Sequence, residues 1–228
     1  MSGSTISNSA RFDIVPVDGL DEARKAQMWQ LFAAHFRACR QTFEVDLSEK
    51  HWVLLLESQG RIQGFSTMMR LKFEGRSLLF SGDTIVAPAA RGSANLAQAW
   101  ARHVFGLVDE EGPLYWFLIA SGYRTYRFLP LFFQEFYPRF DRPVPPAIGC
   151  LLDGVAKQKF GERYQKGVVV PACPTPLQQV EVPPGRRRDP HVGFFLERNP
   201  GHRLGHELAC LALVSRPNLT AAGRRMLW

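Results

Sequence analysis

Asp83 is the carboxyl group in this sequence that is best placed to take part in proton transfer. It lies within a strongly apolar segment, residues 77–87, where Ser81, Gly82 and Asp83 interrupt a run of aliphatic and aromatic side chains. Partial burial raises the pKa of a carboxyl group toward the range in which it can accept a proton at neutral pH. Asp83 is therefore a candidate general base, and the alternative is a strand-end aspartate that bonds a neighbouring turn.

A turn rich in small residues follows this segment and is suited to binding an anion. Pro88 ends the predicted strand, and Arg91, Gly92 and Ser93 open a predicted helix over residues 90–108. The first turn of a helix presents free backbone N–H groups and the positive end of the helix dipole, which together attract phosphate groups. The sequence indicates an anion site here, and the alternative is a plain strand–loop–helix connection.

Histidine and acidic side chains also cluster near the C-terminus, but their spacing does not predict a metal site. His202, His206 and Glu207 lie in a stretch rich in glycine and proline, not on one face of a helix. We interpret this stretch as a hairpin loop at the rim of a substrate pocket. No metal ligand is therefore predicted.

The segments on either side of Asp83 predict a mixed α+β fold. Short turns join three strands, residues 52–57, 62–71 and 77–87, into an antiparallel meander, and a further strand, Leu114–Ala120, follows the helix. The other predicted elements are a strand over 12–17, a helix over 20–40, a polar connection over 43–50, helices over 123–136 and 147–160, a strand over 168–170, an irregular stretch over 173–190, strands over 192–197 and 207–214, and a helix over 218–227 capped by Asn218. The last third is expected to complete the same sheet.

Composition limits the classes of protein to consider. The 228 residues are enough for one domain, residues 11–228, after a Ser-rich start, residues 1–10, that we expect to be disordered. No apolar run reaches the roughly 20 residues of a membrane span, and we identify no secretory signal. Widely spaced cysteines predict reduced thiols and a cytoplasmic location. These cysteines are Cys39, Cys150, Cys173 and Cys210.

The net charge of +7 predicts an acidic partner. The positive charges are mostly scattered along the chain, and the run at residues 186–188 is typical of a solvated charge cluster in a loop. No recognition motif accompanies the charge, so nucleic acid is not an expected partner. A phosphorylated cofactor or an acidic carrier protein fits the charge equally well.

The order of the elements, β–α–βββ–α–β–α followed by further strands, resembles the GNAT superfamily of CoA-dependent acyltransferases over roughly residues 10–140. Residues 86–88, Val-Ala-Pro, match the end of the family's cofactor strand, and Arg91 matches the start of its phosphate-binding turn. The chain departs from the family at Ala94 and Leu96, where a glycine and a second small residue are expected. Glycine lets the backbone approach a pyrophosphate closely, so these departures bear on CoA binding.

The resemblance implies a mostly antiparallel sheet flanked by helices, in which the strands 77–87 and 114–120 are parallel neighbours that diverge at their C-terminal ends. It further implies that acetyl-CoA or acyl-CoA is the acyl donor and that its pantetheine arm lies between these two strands. The residues that the resemblance assigns to the cofactor are Ile85, Val86, Ala87, Arg91, Gly92, Ser93, Ala94, Asn95 and Ser121, the last at a position where the family often has asparagine.

The resemblance also implies roles for three catalytic candidates. The general base of the family often lies on the strand that holds Asp83, which is therefore the first choice for that role. Family members often carry a tyrosine in the helix after the fifth strand, where it protonates the leaving thiolate. Tyr126 fits that position better and Tyr123 is the second choice, while the alternative for each tyrosine is aromatic packing.

The function implied by the resemblance is N-acyl transfer to an amine acceptor, either a small molecule or an amino acid. An acidic acyl carrier protein is an alternative donor of the acyl group for this basic chain. The implied acyltransferase could also form a homodimer. The departures at Ala94 and Leu96 motivate an alternative from another class, a non-catalytic GNAT-like domain that binds a ligand or a partner.

Overall fold

A computed structural model describes residues 11–90, 95–171 and 181–227 of the chain. One mixed sheet of eight strands runs through all three stretches, in the order β1-β2-β3-β4-β5-β8-β7-β6. The strands are β1 (Arg11–Pro16), β2 (Trp52–Ser58), β3 (Arg61–Phe73), β4 (Arg76–Val86), β5 (Leu114–Ala120), β6 (Tyr164–Gln165), β7 (Val168–Val169) and β8 (Glu207–Val214).

Helices cover both faces of the sheet. They are α1 (Glu22–Ala33), α2 (Arg40–Ser48), α3 (Asn95–Glu111), α4 (Tyr123–Tyr126), α5 (Phe128–Phe132), α6 (Pro146–Phe160), α7 (Pro190–Arg198) and α8 (Ala221–Arg225). No helix among the described residues is both long and apolar enough to cross a membrane. The thiols of Cys39, Cys150 and Cys210 are free, and Cys173 lies outside the described residues.

The strand directions confirm the expected mixed sheet. β1 to β4 form an antiparallel meander, and β4 and β5 run parallel. All other neighbouring strands of the described sheet are antiparallel, including β8 against β5 and β7. The C-terminal strands therefore extend the sheet beyond β5, as the sequence predicts.

Alternating side chains of the strands divide the core into two layers. Leu79 of β4 packs on the α3 face together with Val104 and Phe195, and the adjacent Leu78 packs on the opposite face against Leu151 of α6. α1 and α2 cover the same face as α6, over β2 and β3. Both faces of the sheet are thus buried, which explains the long apolar runs of β2 and β5.

The N-terminal helical region differs from the prediction. The predicted helix over 20–40 ends at Ala33, and the supposed polar connection contains α2, which begins after Cys39. The Cys39 sulfur accepts a hydrogen bond from the backbone N–H of Thr42, 3.4 Å away, at the N-cap position. Cysteine is not among the residues that ordinarily cap helices, so the sequence carries no conventional start signal here.

The predicted strand over 192–197 is wrong, because this stretch belongs to helix α7. Its Val-Gly-Phe-Phe composition favours a strand, but Asp189 and Pro190, which precede this stretch, favour the start of a helix. The Asp189 carboxylate accepts a hydrogen bond from the His191 N–H at 3.0 Å, and Pro190 occupies the first helical position. These start signals and the burial of Val192 and Phe195 outweigh the strand preference.

Three other helix boundaries also shift. α3 is described from Asn95 to Glu111, and the predicted helix over 123–136 divides into α4 and α5. α8 begins after Thr220, whose hydroxyl accepts a hydrogen bond from the Gly223 N–H, so Asn218 is not its cap. The Asn218 side chain instead bonds the backbone of Glu135 and Leu213 and fixes the chain before α8.

Candidate functional site

β4 and β5 part in the middle of the sheet. Their parallel pairing runs from Leu78 opposite Tyr115 to Ser81 opposite Leu118, and it stops there although both strands continue. The cause lies on the other side of β4, where its register with β3 shifts by one residue between Met68 and Ser66. Such a β-bulge bends a strand and increases its twist, so β4 turns away from β5 after Ser81.

The bulge places Gly82 and Asp83 opposite a single β3 residue, Thr67. A Cβ atom at Gly82 would lie 2.6 Å from Thr67 Oγ1 and 3.0 Å from Lys50 Cε, both closer than van der Waals contact allows. Glycine at position 82 therefore allows β4 to lie this close to Thr67 of β3 and to the Lys50 side chain. The extra residue also reverses the alternation along β4, so Asp83 shares the face of Ile85, which packs with α1 and α2.

A cavity of about 1100 Å³ opens where the two strands separate. β4 contributes Ser81 through Thr84 and Val86 to its wall, and β5 contributes Leu118 and Ile119. The cavity has a polar end, between α2 and α6, and an apolar end, on the α3 side of the sheet. This opening through the sheet connects the two faces, so a ligand that occupies it can contact both.

The polar end contains paired and unpaired charges. Lys50 is almost completely buried, and its Nζ donates to Asp46, 2.7 Å from Oδ1. Lys159 of α6 forms an ion pair with Glu49 on the opposite wall. Asp83 lies beyond the last paired residue of β4, and Glu207 begins β8 next to the end of β5. The two carboxyl groups thus come from opposite sides of the gap.

Both of these carboxyl groups are held partly protonated at neutral pH. Burial, and then the nearby charge of Asp46, raises the pKa of Asp83 to about 7, although the Lys50 ammonium opposes the shift. Burial, and then the charge of Asp83, raises the pKa of Glu207 to about 8, and Arg163 opposes that shift. Each side chain is only half-buried, because it lines the cavity. Two such groups at one cavity can accept and donate protons near pH 7.

Aromatic side chains form the apolar end of the cavity. Trp100 of α3 and Trp116 of β5 lie with ring centroids 4.6 Å apart, and Phe132 and Met226 continue the wall. The Trp116 indole N–H donates to Ser81 Oγ at 2.9 Å, a buried bond across the last paired position of β4 and β5. The Trp100 indole N–H is buried and has no hydrogen-bond acceptor among the described residues. This end therefore suits an apolar ligand group that carries a carbonyl.

We expect Ser81→Ala to lower the free energy of unfolding by about 1–3 kcal/mol, because it leaves the buried Trp116 N–H without an acceptor. Urea denaturation followed by tryptophan fluorescence measures this loss. Ser77→Ala, on the same strand, is the matched control, since no hydrogen bond of the Ser77 hydroxyl is found among the described residues. Equal losses for the two variants would contradict the assigned role of the Ser81–Trp116 bond.

The structure brings some of the predicted cofactor residues to the cavity. Val86 and Ser121 line it, together with Asp83. Ile85 instead turns its side chain into the core beneath α1 and α2. The Ala87 N–H already donates to the Gln63 carbonyl at 2.8 Å, so it is not available to a ligand. The role assigned to Ala87 in cofactor binding stays a prediction, and within it the N–H group is already occupied.

The predicted phosphate-binding turn is only partly described. Arg91, Gly92, Ser93 and Ala94 lie outside the described residues, and Asn95 is the first residue of α3. The role assigned to these residues stays a prediction. Leu96 and Ala97 of the first turn of α3 line the cavity, so this end of the helix does border the gap between the strands.

Neither predicted tyrosine lines the cavity. Tyr126 is fully buried, its hydroxyl donates to the Pro138 carbonyl at 2.9 Å, and burial raises its pKa far above the usual value. Its ring packs against Phe195 of α7. The Tyr123 hydroxyl contacts the Arg124 guanidinium at 3.4 Å. The structure does not bring either hydroxyl to Asp83, and it supports the alternative of aromatic packing for both.

Glu207 is the site residue that sequence reasoning missed. It was considered as one of a His and Glu cluster, but His202 lies in a 3-10 turn, residues 200–204, and bonds the Asn199 carbonyl. Among the described residues no group of His, Cys, Asp or Glu has the arrangement of a metal site. The sequence did contain a signal for Glu207 as a site residue. Glu207 is a charged residue at the start of an otherwise apolar strand, and Asp83 is likewise a charged residue within the apolar β4.

No family model and no curated protein matches this sequence. Solved structures of acyltransferases are similar to it. YhbS, a GNAT family N-acetyltransferase from Escherichia coli in complex with CoA, is 10% identical over 56% of this chain and 71% of its own, with a TM-score of 0.43. An acetyltransferase from Trypanosoma brucei is 19% identical over 59% of this chain and 100% of its own, with a TM-score of 0.41.

A GNAT family acetyltransferase from Brucella melitensis in complex with acetyl-CoA is 16% identical over 47% of this chain and 75% of its own, with a TM-score of 0.36. At such identities and TM-scores, these similarities assign neither a substrate nor the role of any residue. The topology itself is specific. One parallel strand pair that parts around a cavity, within an otherwise antiparallel sheet, is the arrangement that the resemblance implies, and the structure confirms this mixed, mostly antiparallel fold.

Proposed function

We propose that this protein transfers an acyl group from an acyl-CoA thioester to the nitrogen of an amine acceptor. The observation that carries the proposal is the position of Asp83. It lies at the point where β4 leaves β5, in the wall of a cavity that passes through the sheet, and its pKa is raised to about 7. A carboxylate of that pKa is suited to accept a proton from a substrate at neutral pH.

Acyl transfer to nitrogen requires a base, because an ammonium group has no lone pair with which to attack. Asp83 accepts a proton from the acceptor ammonium at a carboxylate oxygen. The amine nitrogen then bonds to the carbonyl carbon of the thioester, the C–S bond breaks, and the second proton that the nitrogen loses as the amide forms passes to solvent. Lys50 lies close enough to Asp83 to favour its ionised form, which keeps part of the Asp83 population ready to accept a proton.

The departing thiolate needs a proton, and Glu207 is the group of the cavity that holds one at neutral pH. Its pKa of about 8 keeps most of its population protonated at pH 7. We therefore assign one role to each carboxyl group of the coupled pair, with Asp83 as the base and Glu207 as the acid. Such a division follows from the different environments of two coupled acids.

The residues of the cavity fit the donor that the fold implies. CoA supplies the acyl group as a thioester. The opening between the strands suits its pantetheine arm, and the buried indole N–H of Trp100 lacks an acceptor that a carbonyl of this arm could provide. Arg124 and Arg225 also line the cavity, next to the exposed side chains of Phe128 and Leu131. A basic and apolar rim is suited to a phosphorylated donor with an acyl chain.

The test is a set of donors and acceptors assayed by mass spectrometry of the acylated product. Acetyl-, octanoyl- and palmitoyl-CoA are each combined with a panel of amines and amino acids, and a phosphopantetheinylated acyl carrier protein replaces CoA in a parallel series. Thermal unfolding with CoA alone measures binding separately, since a ligand that binds only the folded state raises the Tm. A Tm increase without turnover in any combination would favour the non-catalytic binding domain. Neither binding nor turnover would refute the proposal.

A further inference from the structure

The charges at the polar end of the cavity are not fully paired within the protein. Two ion pairs neutralise four of the side chains there, Asp46 with Lys50 and Glu49 with Lys159. The first pair lies within one wall, and the second joins α6 to the end of α2 on the opposite wall. The charges that remain are therefore the ones available to a ligand.

Three ionisable side chains that line this end, Asp83, Glu207 and Arg163, have no ion-pair partner in the described part of the chain, and the exposed Arg37 is a fourth. The first two are carboxyl groups and the third is a guanidinium. Arg163 lies close enough to Glu207 to lower its pKa, although not enough to cancel the effect of burial. Two carboxyl groups, of which Asp83 is the more readily ionised, and a guanidinium thus line the same end of one cavity.

Arg163 packs on an aromatic ring, and although it lies near enough to Glu49 and Glu207 to lower their pKa values, it forms no ion pair with a described carboxylate. Its guanidinium lies 5.4 Å from the ring centroid of Phe160, and that ring packs against Phe80 and Phe117 in the core. The Arg163 carbonyl accepts a hydrogen bond from the Val170 N–H at 2.8 Å, which fixes the backbone after α6. A guanidinium stacked on a fixed aromatic ring keeps its N–H groups free for a carboxylate, which it binds in a bidentate manner.

We propose that the acceptor is an amino acid, whose amine faces Asp83 and Glu207 and whose free carboxylate is bound by Arg163. The inference rests on the proposed acyl transfer for its catalytic meaning, but it concerns binding. A simple amine would leave the guanidinium without a partner, and a polyamine would bring a second cation to it. A carboxylic acid without an amine would face two carboxyl groups. Only a ligand with both charges complements the three side chains together.

The kinetic test compares acceptors that differ only in the carboxylate. Leucine, leucinamide and isoamylamine form one such series, and glycine, β-alanine and γ-aminobutyrate vary the distance between the two charges. We expect kcat/KM of the wild type to be at least about tenfold higher for an amino acid than for its amide, the size of one charge-assisted hydrogen bond. Arg163→Gln should bring the ratio of the two values close to one.

Two further arginine variants make the assignment specific. Arg142→Gln removes the same charge from the surface, where Arg142 pairs with Glu135, and it should keep the wild-type ratio. Arg37→Gln removes the other guanidinium of the polar end. If the ratio of kcat/KM for an amino acid to that for its amide falls close to one in Arg37→Gln but not in Arg163→Gln, the role of Arg163 is overturned. A wild type that acylates amides and simple amines as well as amino acids would overturn the inference and leave the proposed function intact.

A binding measurement tests the inference without turnover. Isothermal titration calorimetry of the wild type should show binding of at least one amino acid of the panel, with affinity reduced about tenfold or more for its amide and for Arg163→Gln. Amino-acid binding of this kind without acyl transfer would support the inference and refute the proposed function. Equal affinity of wild type and Arg163→Gln for every amino acid that binds, or no binding of any of them, would refute the inference.

Discussion

Asp83→Asn is expected to lower kcat by about 10²–10⁴-fold, the usual contribution of general acid–base catalysis, with little change in CoA affinity. Asparagine has nearly the same shape but cannot take the proton of the acceptor ammonium. The measurement is steady-state kinetics with the best donor and acceptor of the panel. Asp109→Asn is a control for a carboxylate of the surface, where Asp109 pairs with Arg216, and it should retain full turnover.

The pH dependence makes this prediction sharper. The rate should rise as Asp83 loses its proton around pH 7 and fall as Glu207 loses its proton around pH 8, which gives a narrow bell. Glu207→Gln should lower the rate as well, and it should remove the alkaline limb because the group that titrates there is gone. Full turnover of Asp83→Asn would show that another group is the base, even with the fold unchanged.

The second large effect concerns stability. The substitution Asp83→Asn, which is expected to lower kcat, is expected to make the folded protein more stable. The contribution of Asp83 to the stability of the wild type should fall as the pH rises from about 4 to 8, because the folded pKa of Asp83 lies above its ordinary value of 3.8. In that pH range the unfolded chain has released the proton while the folded protein still holds it, so rising pH favours unfolding. Asp83→Asn removes this penalty. We expect it to be more stable than the wild type by about 1–3 kcal/mol at pH 8, allowing for the partial exposure of Asp83, and equally stable near pH 4.

Urea denaturation at pH 4, 6 and 8 measures the difference. Glu207→Gln should behave in the same way, because burial also raises the pKa of Glu207. Asp109→Asn again serves as the control, and it should follow the wild-type curve. Parallel stability curves for wild type and Asp83→Asn would mean that Asp83 titrates normally in the folded protein. The proposed base would then lack the property on which it was chosen.

Sequence reasoning located the centre of this site because two signals coincided there. Asp83 is a charge within an apolar strand, and the strand ends at a proline before a helix, so burial and position indicated the same residue. Glu207 carried the first of these signals but not the second. Its place beside Asp83 depends on β8 pairing with β5 across a separation of nearly ninety residues, which local patterns do not reveal.

The two tyrosines illustrate a different limit of sequence reasoning, because they were predicted at the site but do not line the cavity. Tyr126 was chosen by its spacing from β5, but spacing fixes only the position along the helix, not the direction of the hydroxyl. α4 is a single turn, and α7 packs against it and buries the ring of Tyr126. The mistaken strand at 192–197 hid that partner, because a strand in this stretch would have joined the sheet.

The short pairing between β4 and β5 has a consequence for how the molecule opens. Only four residues of each strand join the β1–β4 half of the sheet to the β5–β8 half, and the gap continues from there to the cavity. Segments with few shared hydrogen bonds exchange their amide protons through local opening before the whole protein unfolds. Although α3 and α6 pack across both halves, this short pairing is the part of the described sheet that we expect to open first. A ligand that fills the gap would contact both β4 and β5 and oppose their separation. Exchange of the amide protons of Leu78 to Ser81 should therefore slow when the site is occupied.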